Sequence, residues 1–374
     1  MKIGINARFL AHPFTGIGQY TYNLLRALSS VDKRNEYLLF TPELVDIQLS
    51  ENFKQVRIPE AEYKSASLRK AHWEHVLIPR EIEKWGIELA HFLYPSNPKK
   101  SLKIPTIVTV HDVIPWVLPA YRKHMRSKVY SAYTKMALKK ADHIITVSDF
   151  SKDEIKRVLK VEDKNIHVIY LAPPMYEKDK VAPPNLHLRR DFLLYVGGYD
   201  DRKNVPSLIE AYQKFIANHY KIDLILVGGK GHNLEELITD EYCDRVAGVY
   251  LVKPKGKIIF TEPLPSNELT ALYKQATALV HVSNYEGFNL PLVEAMTNGL
   301  PVVASDIPVN HEVTAENAHF IDQSWVDTIG IGIHEFLNNK AMQRELKKGG
   351  LERSKDFSWK KCAEETLYVY NLFT

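Results

Sequence analysis

The chain has 374 residues, 45% of them hydrophobic and 25% charged, which excludes a disordered or fibrous protein and, at this length, points to two domains, since single cores stop growing near roughly 250–300 residues. Two distant cysteines, Cys243 and Cys362, exclude a disulfide framework or a zinc knuckle, and no apolar run approaches the roughly 20 residues of a membrane helix. The formal net charge of +4 is uneven: residues 1–180 carry 29 Lys+Arg against 20 Asp+Glu, the remainder 20 against 25, so an anionic neighbour suits the first half, although such a partition also arises incidentally.

The opening residues read as a strand rather than a secretory leader, so a cytoplasmic protein is expected, with any membrane contact peripheral. Short β-branched runs predict strands over 2–7, 37–40, 88–93, 106–110, 143–147 and 165–171, with helical patterns between them over 20–29 and 122–140. This alternation argues for right-handed βαβ units and a parallel sheet. A segment with four prolines, APPMYEKDKVAPPN at 172–185, interrupts the pattern and reads as a linker. The alternation then restarts: strand 192–196, helix 205–215, strand 223–227, helix 234–238, strand 258–260, helix 268–276, strand 278–282, helix 291–298 and strand 301–304. A last helix over 357–373 repeats Trp359, Cys362, Ala363, Leu367 and Tyr370 at helical spacing; it either caps the second domain or packs back across the hinge. The expected division is 1–172, a linker 173–189, 190–356 and the terminal helix 357–374. Open α/β sheets bind ligands beyond the carboxyl ends of their strands, so two such edges facing a cleft would make a two-substrate site.

The string YEGFNLPLVEAMTNGLPVVASD occupies 285–306. Gly287 marks a turn after a strand, and Pro291 suits the first turn of a helix. Backbone N–H groups near Asn289 and Leu290, with the helix dipole, would form a site for phosphate or sugar hydroxyls. Glu286 and Glu294 flank this helix start, and carboxylates accept paired hydrogen bonds from vicinal hydroxyls; each alone reads more readily as a solvated acid, and it is the whole string that favours a functional role. A second string, YVGGYDDRKNVPSLIEAY at 195–212, runs from a strand through Gly197 and Gly198 to Arg202 and Lys203, ahead of a helix capped near Asn204. Adjacent cations there suit a diphosphate.

The loop TGIGQY at 15–20 offers Gly16 and Gly18 for close backbone approach, without the third glycine of a dinucleotide fingerprint. His111 and Asp112 follow the strand 106–110 and read either as a general-base pair or as a histidine satisfied locally. Asn6, Arg8, Ser96 and Ser148 also fall at strand ends. Between 121 and 140 lie seven Lys+Arg and no acid, with Val129, Tyr133, Met136 and Ala137 as an apolar side. Such a helix suits an anionic membrane surface or a solvated face, and no nucleic-acid module accompanies it. No two aspartates are separated by one residue, so a metal-holding Asp-x-Asp motif is absent from the sequence.

The string at 285–306 resembles the retaining glycosyltransferases of family 4, whose fold is GT-B: two Rossmann-like doubly wound α/β domains facing a cleft. The family pattern is a glutamate, seven residues, a second glutamate, then a small-residue stretch with Gly-x-Pro-Val; Glu286, Glu294, Gly299, Pro301 and Val302 fit it. One position departs: Asn289 stands where the family commonly has glycine. The resemblance implies that Glu286 contacts the donor sugar and Glu294 the nucleotide ribose. It implies that Arg202 and Lys203 hold the leaving diphosphate, with Gly198, Asn289 and Leu290 around the donor. The loop with Gly16 and Gly18 would approach donor phosphate and sugar, and His111 would touch the sugar, with Asp112 left to orient it. The implied activity is retaining transfer of a hexose from a nucleotide sugar, GDP-mannose or a UDP-sugar, to a glycan or lipid-linked acceptor in polysaccharide biosynthesis. Donor would bind mainly the second domain and acceptor the first. No cofactor or metal is expected, since Arg202, Lys203 and a helix N-terminus would stabilise the leaving group. The motifs show no carboxylate well placed for a double displacement; the resemblance implies instead a reaction on one face of the sugar, with the leaving phosphate taking the acceptor's proton. SDIPVNHEV at 305–313 is similar to bacterial mannosyltransferases and favours mannose. A nucleotide-sugar epimerase of the same fold, or a non-catalytic nucleotide-sugar-binding subunit, are the rival readings.

Overall fold

The computed structural model describes residues 1–12, 15–96, 98, 102–122, 125–174, 191–228, 243–246, 249–252 and 256–374. The helix expected over 234–238 and most of the expected linker lie outside these residues. Packing divides the chain into two units: Met1–Ala172 together with Ser358–Thr374, and Pro173–Phe357.

The first unit is built on seven strands: β1 (Lys2–Asn6), β2 (Glu36–Thr41), β3 (Phe53–Arg57), β4 (Leu89–Phe92), β5 (Thr106–Val110), β6 (His143–Thr146) and β7 (Ile166–Val168). Every pairing is parallel and the order is β3-β2-β1-β4-β5-β6-β7. Strands covered on both faces carry unbroken apolar runs, and Tyr37, Leu38, Leu39 and Phe40 of β2 are all fully buried. Helices α1 (Gly16–Val31), α2 (Ala66–His72), α3 (Ile78–Trp85), α4 (Ile114–Val117), α5 (Met125–Leu138) and α6 (Asp149–Leu159) connect them. Between α2 and α3 the rod passes through a π-helical turn, Trp73–Leu77. The strand β3 and the rod from α2 to α3 were not anticipated from the sequence.

The second unit holds β8 (Phe192–Val196), β9 (Asp223–Val227), β10 (Cys243–Val246), β11 (Val249–Val252), β12 (Gly256–Thr261), β13 (Ala278–His281), β14 (Val302–Ser305) and β15 (His319–Ile321) in the order β10-β11-β12-β9-β8-β13-β14-β15. The sheet is parallel except where β10, β11 and β12 run as an antiparallel meander. Its helices are α7 (Val205–Ala211), α8 (Ser266–Gln275), α9 (Leu290–Thr297), α10 (Pro308–Thr314), α11 (Val326–Asn338) and α12 (Lys340–Arg353). Both units are therefore Rossmann-like, as expected.

The terminal helix α13 (Trp359–Tyr370) belongs to the first unit, where it packs on α1. Its inward stripe is Trp359, Cys362, Ala363, Thr366, Val369 and Tyr370; Thr366 rather than Leu367 takes the fourth buried place, its hydroxyl donating to the Cys362 carbonyl at 2.7 Å. The Tyr370 hydroxyl lies 2.7 Å from Nδ1 of fully buried His91 on β4, whose Nε2 is 2.9 Å from Thr109 Oγ1 on β5. Cys362 is buried and carries no disulfide.

Candidate functional site

In the second unit the chain proceeds outward from β8 through β9 and β12 on one side, and from β13 through β14 and β15 on the other. The order reverses between β8 and β13, and such a switch point opens a crevice at the carboxyl ends of the strands. The loop after β8 ends in a 3-10 turn, Asp201–Lys203; the loop after β13 carries Glu286. Main-chain groups stitch them together, the Asn284 N–H donating to the Arg202 carbonyl at 2.7 Å and Arg202 Nη1 to the Tyr285 carbonyl at 3.1 Å.

Across this seam Glu286 receives both cations. Arg202 Nη1 donates to its Oε2 at 2.5 Å and Lys203 Nζ to its Oε1 at 2.5 Å, while Arg202 Nε also meets Asp200 Oδ1 at 3.1 Å. Lys203 is 7% and Glu286 6% exposed. Burial alone would raise the Glu286 carboxyl, but Lys203 and Arg202 outweigh it and hold the group down at about 2. The sequence separates these residues by more than eighty positions; the switch point makes them one charged cluster.

Helix α9 starts at Leu290 with Pro291 in its first turn. Its N-cap, Asn289, is left-handed at φ 74° and ψ 62°, a conformation that asparagine tolerates better than most residues. This is the physical reason an asparagine can stand where glycine is usual. Its side chain turns inward: Nδ2 lies 3.2 Å from His281 Nδ1 and 2.8 Å from Asn310 Oδ1, while Oδ1 is buried with no hydrogen-bond partner. His281, stacked on Tyr195 at 5.6 Å, also keeps an unpartnered Nε2. Burial, then Lys203, push its imidazole down to about 3, so it is neutral. Nothing in the sequence distinguished His281 from an interior strand position. Glu294 is buried on α9, and Tyr273 of α8 donates to its Oε2 at 2.6 Å; burial raises its carboxyl against the pull of that bond.

The glycine requirement after β8 falls on Gly197 rather than Gly198. A Cβ on Gly197 would come within 2.8 Å of the Tyr195 hydroxyl, whereas one on Gly198 would make only an ordinary contact. Gly198 contributes through its backbone, its carbonyl accepting from Tyr195 OH at 2.6 Å.

In the first unit α1 is capped by Thr15, whose Oγ1 accepts from the Gly18 N–H at 3.0 Å. That N–H is therefore committed to the cap. A Cβ on Gly18 would lie 2.0 Å from the His12 carbonyl oxygen, while Gly16 has nothing within 4 Å. Gly18 is thus explained by packing, and Gly16 is the glycine with open space. His111 follows β5; its Nε2 lies 3.0 Å from the Leu93 carbonyl, which must accept, so the proton sits on Nε2 and Nδ1 is the acceptor. Burial lowers this imidazole to about 4 against that bond. Tyr20 packs edge-on to the His111 ring at 4.6 Å, and Tyr20 OH lies 3.2 Å from Thr109 Oγ1. Asp112 accepts from the Ile114 N–H at 3.0 Å, opening α4.

Of the remaining strand-end residues, Ser148 caps α6 by accepting from the Ser151 N–H at 2.9 Å. Arg8 pairs with Glu60 at 2.6 Å. Asn6 joins Trp73 and Tyr94, each at 3.0 Å. On α5, Met136 is 59% exposed and Ala137 buried, so these two do not share one apolar side. Lys128, Lys135, Arg157 and Lys160 line a cavity of about 790 Å³ with Trp116 at its wall. Among the described residues no three His, Cys, Asp or Glu side chains gather as a metal site, and no helix is long and apolar enough to cross a membrane.

Residues 14–172 match the family model described as Glycosyltransferase Family 4, and residues 177–353 the one described as Glycosyl transferases group 1. The chain is 27% identical over 405 residues to the O-antigen chain mannosyltransferase B of Escherichia coli, covering 100% of both. It is 29% identical over 343 residues to the O-antigen chain mannosyltransferase RfbU of Salmonella typhimurium, covering 87% of this chain and 89% of that one. Among solved structures, sucrose-phosphate synthase from Thermosynechococcus elongatus superimposes with a TM-score of 0.73 at 19% identity, over 100% of this chain and 98% of that one, a likeness of fold.

Proposed function

The chain belongs to the family 4 glycosyltransferases, and we propose that it transfers mannose from GDP-mannose, with retention, to a glycan or lipid-linked acceptor in surface-polysaccharide assembly. The mannosyl choice is supported by the two O-antigen mannosyltransferases above. The observation that carries the donor site is the Arg202–Lys203–Glu286 cluster at the β8/β13 switch. Two cations that converge on one carboxylate oxygen pair have the spacing to converge on a diphosphate. Preorganised charge of this kind stabilises a departing oxyanion more than any other single effect. When the diphosphate takes Arg202 and Lys203, Glu286 is released to accept from the sugar hydroxyls. Glu294, its rotamer fixed by Tyr273, accepts from the ribose, and the α9 N-terminus at Asn289 and Leu290 adds dipole stabilisation. His111, Gly16 and Gly18 keep the roles the resemblance implies for them, with Gly18 acting through the shape of the loop.

Because the two cations stand where a metal would otherwise balance the leaving group, the reaction is proposed to need none. EDTA should leave the rate unchanged; inhibition reversed by Mn²⁺ would refute this. Peripheral contact with an anionic membrane is proposed through the basic surface of α5 and α6. The deciding experiment is a thermal-shift comparison of nucleotides. A ligand at 100 times its Kd stabilises by about 2.7 kcal/mol, roughly 5–10 °C for a unit of this size. A shift with GDP and GDP-mannose alone supports mannosyl transfer. A shift with UDP compounds alone replaces mannose by another hexose, and no shift removes the diphosphate assignment.

A further inference from the structure

The Arg202–Lys203–Glu286 cluster has an uncharged polar neighbour. His281 ends β13, Ser283 lies just after it, Ser305 ends β14, Asn310 is on α10 and Asn289 caps α9. All five are buried. Polar groups buried together are costly unless each finds a partner, so the direction of every hydrogen bond among them matters.

One main-chain group sets that direction. The Ser305 carbonyl can only accept, and Asn310 Nδ2 donates to it at 2.9 Å. Asn310 Oδ1 therefore faces the other way, where Asn289 Nδ2 donates to it at 2.8 Å. The second Nδ2 hydrogen of Asn289 goes to His281 Nδ1 at 3.2 Å. An amide NH₂ group is a donor only, so Nδ1 accepts and the proton of this neutral ring sits on Nε2. Ser283 Oγ lies 3.2 Å from the same Nδ1, while Ser305 Oγ donates to the Ser283 carbonyl at 2.6 Å. The wiring thus runs from a fixed carbonyl on β14, through α10 and the cap of α9, to a ring on β13.

Two ends are left over: Asn289 Oδ1 and His281 Nε2 are buried without a hydrogen-bond partner. Asparagine at a helix N-cap ordinarily turns its oxygen onto the N–H groups of the first turn; here it makes no such bond. Its amide is held by His281 and Asn310 instead, and the first turn of α9 has no side-chain cap. The same two partners hold Asn289 in the left-handed region, at φ 74°, where a non-glycine residue persists only when its surroundings impose it. The His281 ring is also stacked on Tyr195 of β8, whose hydroxyl donates to the Gly198 carbonyl. One imidazole therefore ties the start of α9 to the loop that leads to Arg202 and Lys203.

We propose that His281 is a positioning residue for the transfer reaction: by accepting from Asn289, it holds the start of α9 where the uncapped N–H groups meet the departing diphosphate. This rests on the donor-site reading above. His281 touches no substrate. It acts through Asn289, whose amide needs a partner that a glycine in the same backbone conformation would not need.

The test is a cycle of His281→Phe, Asn289→Gly and the double variant, with His281→Asn beside it. Phenylalanine keeps the stack on Tyr195 and removes the acceptor; asparagine loses the ring but brings an oxygen near the place of Nδ1. The assay is release of nucleoside diphosphate from GDP-mannose and from UDP-glucose in water, which requires no acceptor saccharide. His281→Phe should lower kcat about tenfold or more, with KM for the nucleotide sugar within about threefold, as for a contact made in the transition state. Whatever the rate of Asn289→Gly, adding His281→Phe to it should change kcat by less than about twofold. His281→Asn should keep more of kcat than His281→Phe although it melts lower; a ring that only fills space would leave His281→Phe the faster variant as well as the more stable one, and would refute the role. Nitrogen NMR of labelled histidine, without substrate and near neutral pH, should show His281 protonated on Nε2 alone. The other tautomer overturns the proposal, as does a folded His281→Phe with kcat within about twofold of wild type, or an equal loss in both backgrounds. A wild type that releases no diphosphate from either sugar sinks the donor-site reading itself; turnover in wild type with an uncoupled cycle sinks only the role of His281.

Discussion

Lys203→Met probes the centre of the proposed donor site. The substitution keeps the stem and removes the ammonium that donates to Glu286 Oε1 at 2.5 Å. Breaking a buried ion pair by deleting one partner costs about 3–5 kcal/mol, because the other charge is left buried. Arg202 still reaches Oε2 at 2.5 Å, so the lower end, about 3 kcal/mol, is expected. Each kcal/mol moves the melting temperature of a unit of 150–250 residues by about 2–4 °C, giving a fall of roughly 6–12 °C for the unit Pro173–Phe357. Adding Glu286→Gln removes the stranded carboxylate, so the double variant should regain more than half of the loss although it lacks more groups. Differential scanning calorimetry of the four proteins of the cycle reads both numbers. If Lys203→Met melts within about 2 °C of wild type, or the double variant loses the sum of the single losses, the three groups are not coupled and the cluster is no preorganised anion site.

Gly16→Ala and Gly18→Ala separate loop shape from ligand approach. Gly18→Ala should unfold or strongly destabilise the first unit, since its Cβ would meet the His12 carbonyl at 2.0 Å. Gly16→Ala should melt like wild type and show any loss only in donor KM, read by calorimetry and kinetics. Tyr370→Phe strips a partner from buried His91 and should cost about 1–3 kcal/mol in urea denaturation; a neutral result would mean that α13 is held by its apolar stripe alone. His311 carries a pH signature. Burial lowers its imidazole, but hydrogen bonds with Asp306 and Glu316 outweigh that and raise it. A raised folded pKa gives stability that is present below the unfolded value of about 6.5 and lost as pH climbs through the folded one. His311→Asn should therefore lower the melting temperature at pH 5.5 and not at pH 8.5, by under about 1 kcal/mol given its exposure; an equal effect at both would remove the ion pairs from the account.

The parallel strands were legible because burial on both faces leaves continuous apolar runs, as in β2 and β5. Short or polar-edged strands such as β3, with Lys54 and Gln55 in its middle, carry no such run and were missed. Arg202, Lys203 and Glu286 were legible as separate motifs, but their pairing was not, because it depends on which strands are neighbours. The need for glycine at 18 was legible only as a tight turn or a ligand approach, because a glycine in a loop looks the same whether a phosphate or the His12 carbonyl is what leaves no room. The burial of Glu74 gave no signal at all: in helical register it reads as a solvated acid, whereas it is buried beside Trp73 in the π-helical turn. The two alternatives for the terminal helix were equal in the sequence, since its apolar stripe fits any groove; the Tyr370 hydroxyl and the α1 surface decide between them.

That decision also sets an order of events. The first unit is closed by Ser358–Thr374, which leave the ribosome after the whole of the second unit. Domains tend to fold as they emerge, N-terminal first, yet here the earlier unit must wait, with the α1 surface and His91 uncovered, until the later one has been made. A nascent chain stalled before Ser358 should thus present a complete second unit and an unfinished first unit that engages chaperones.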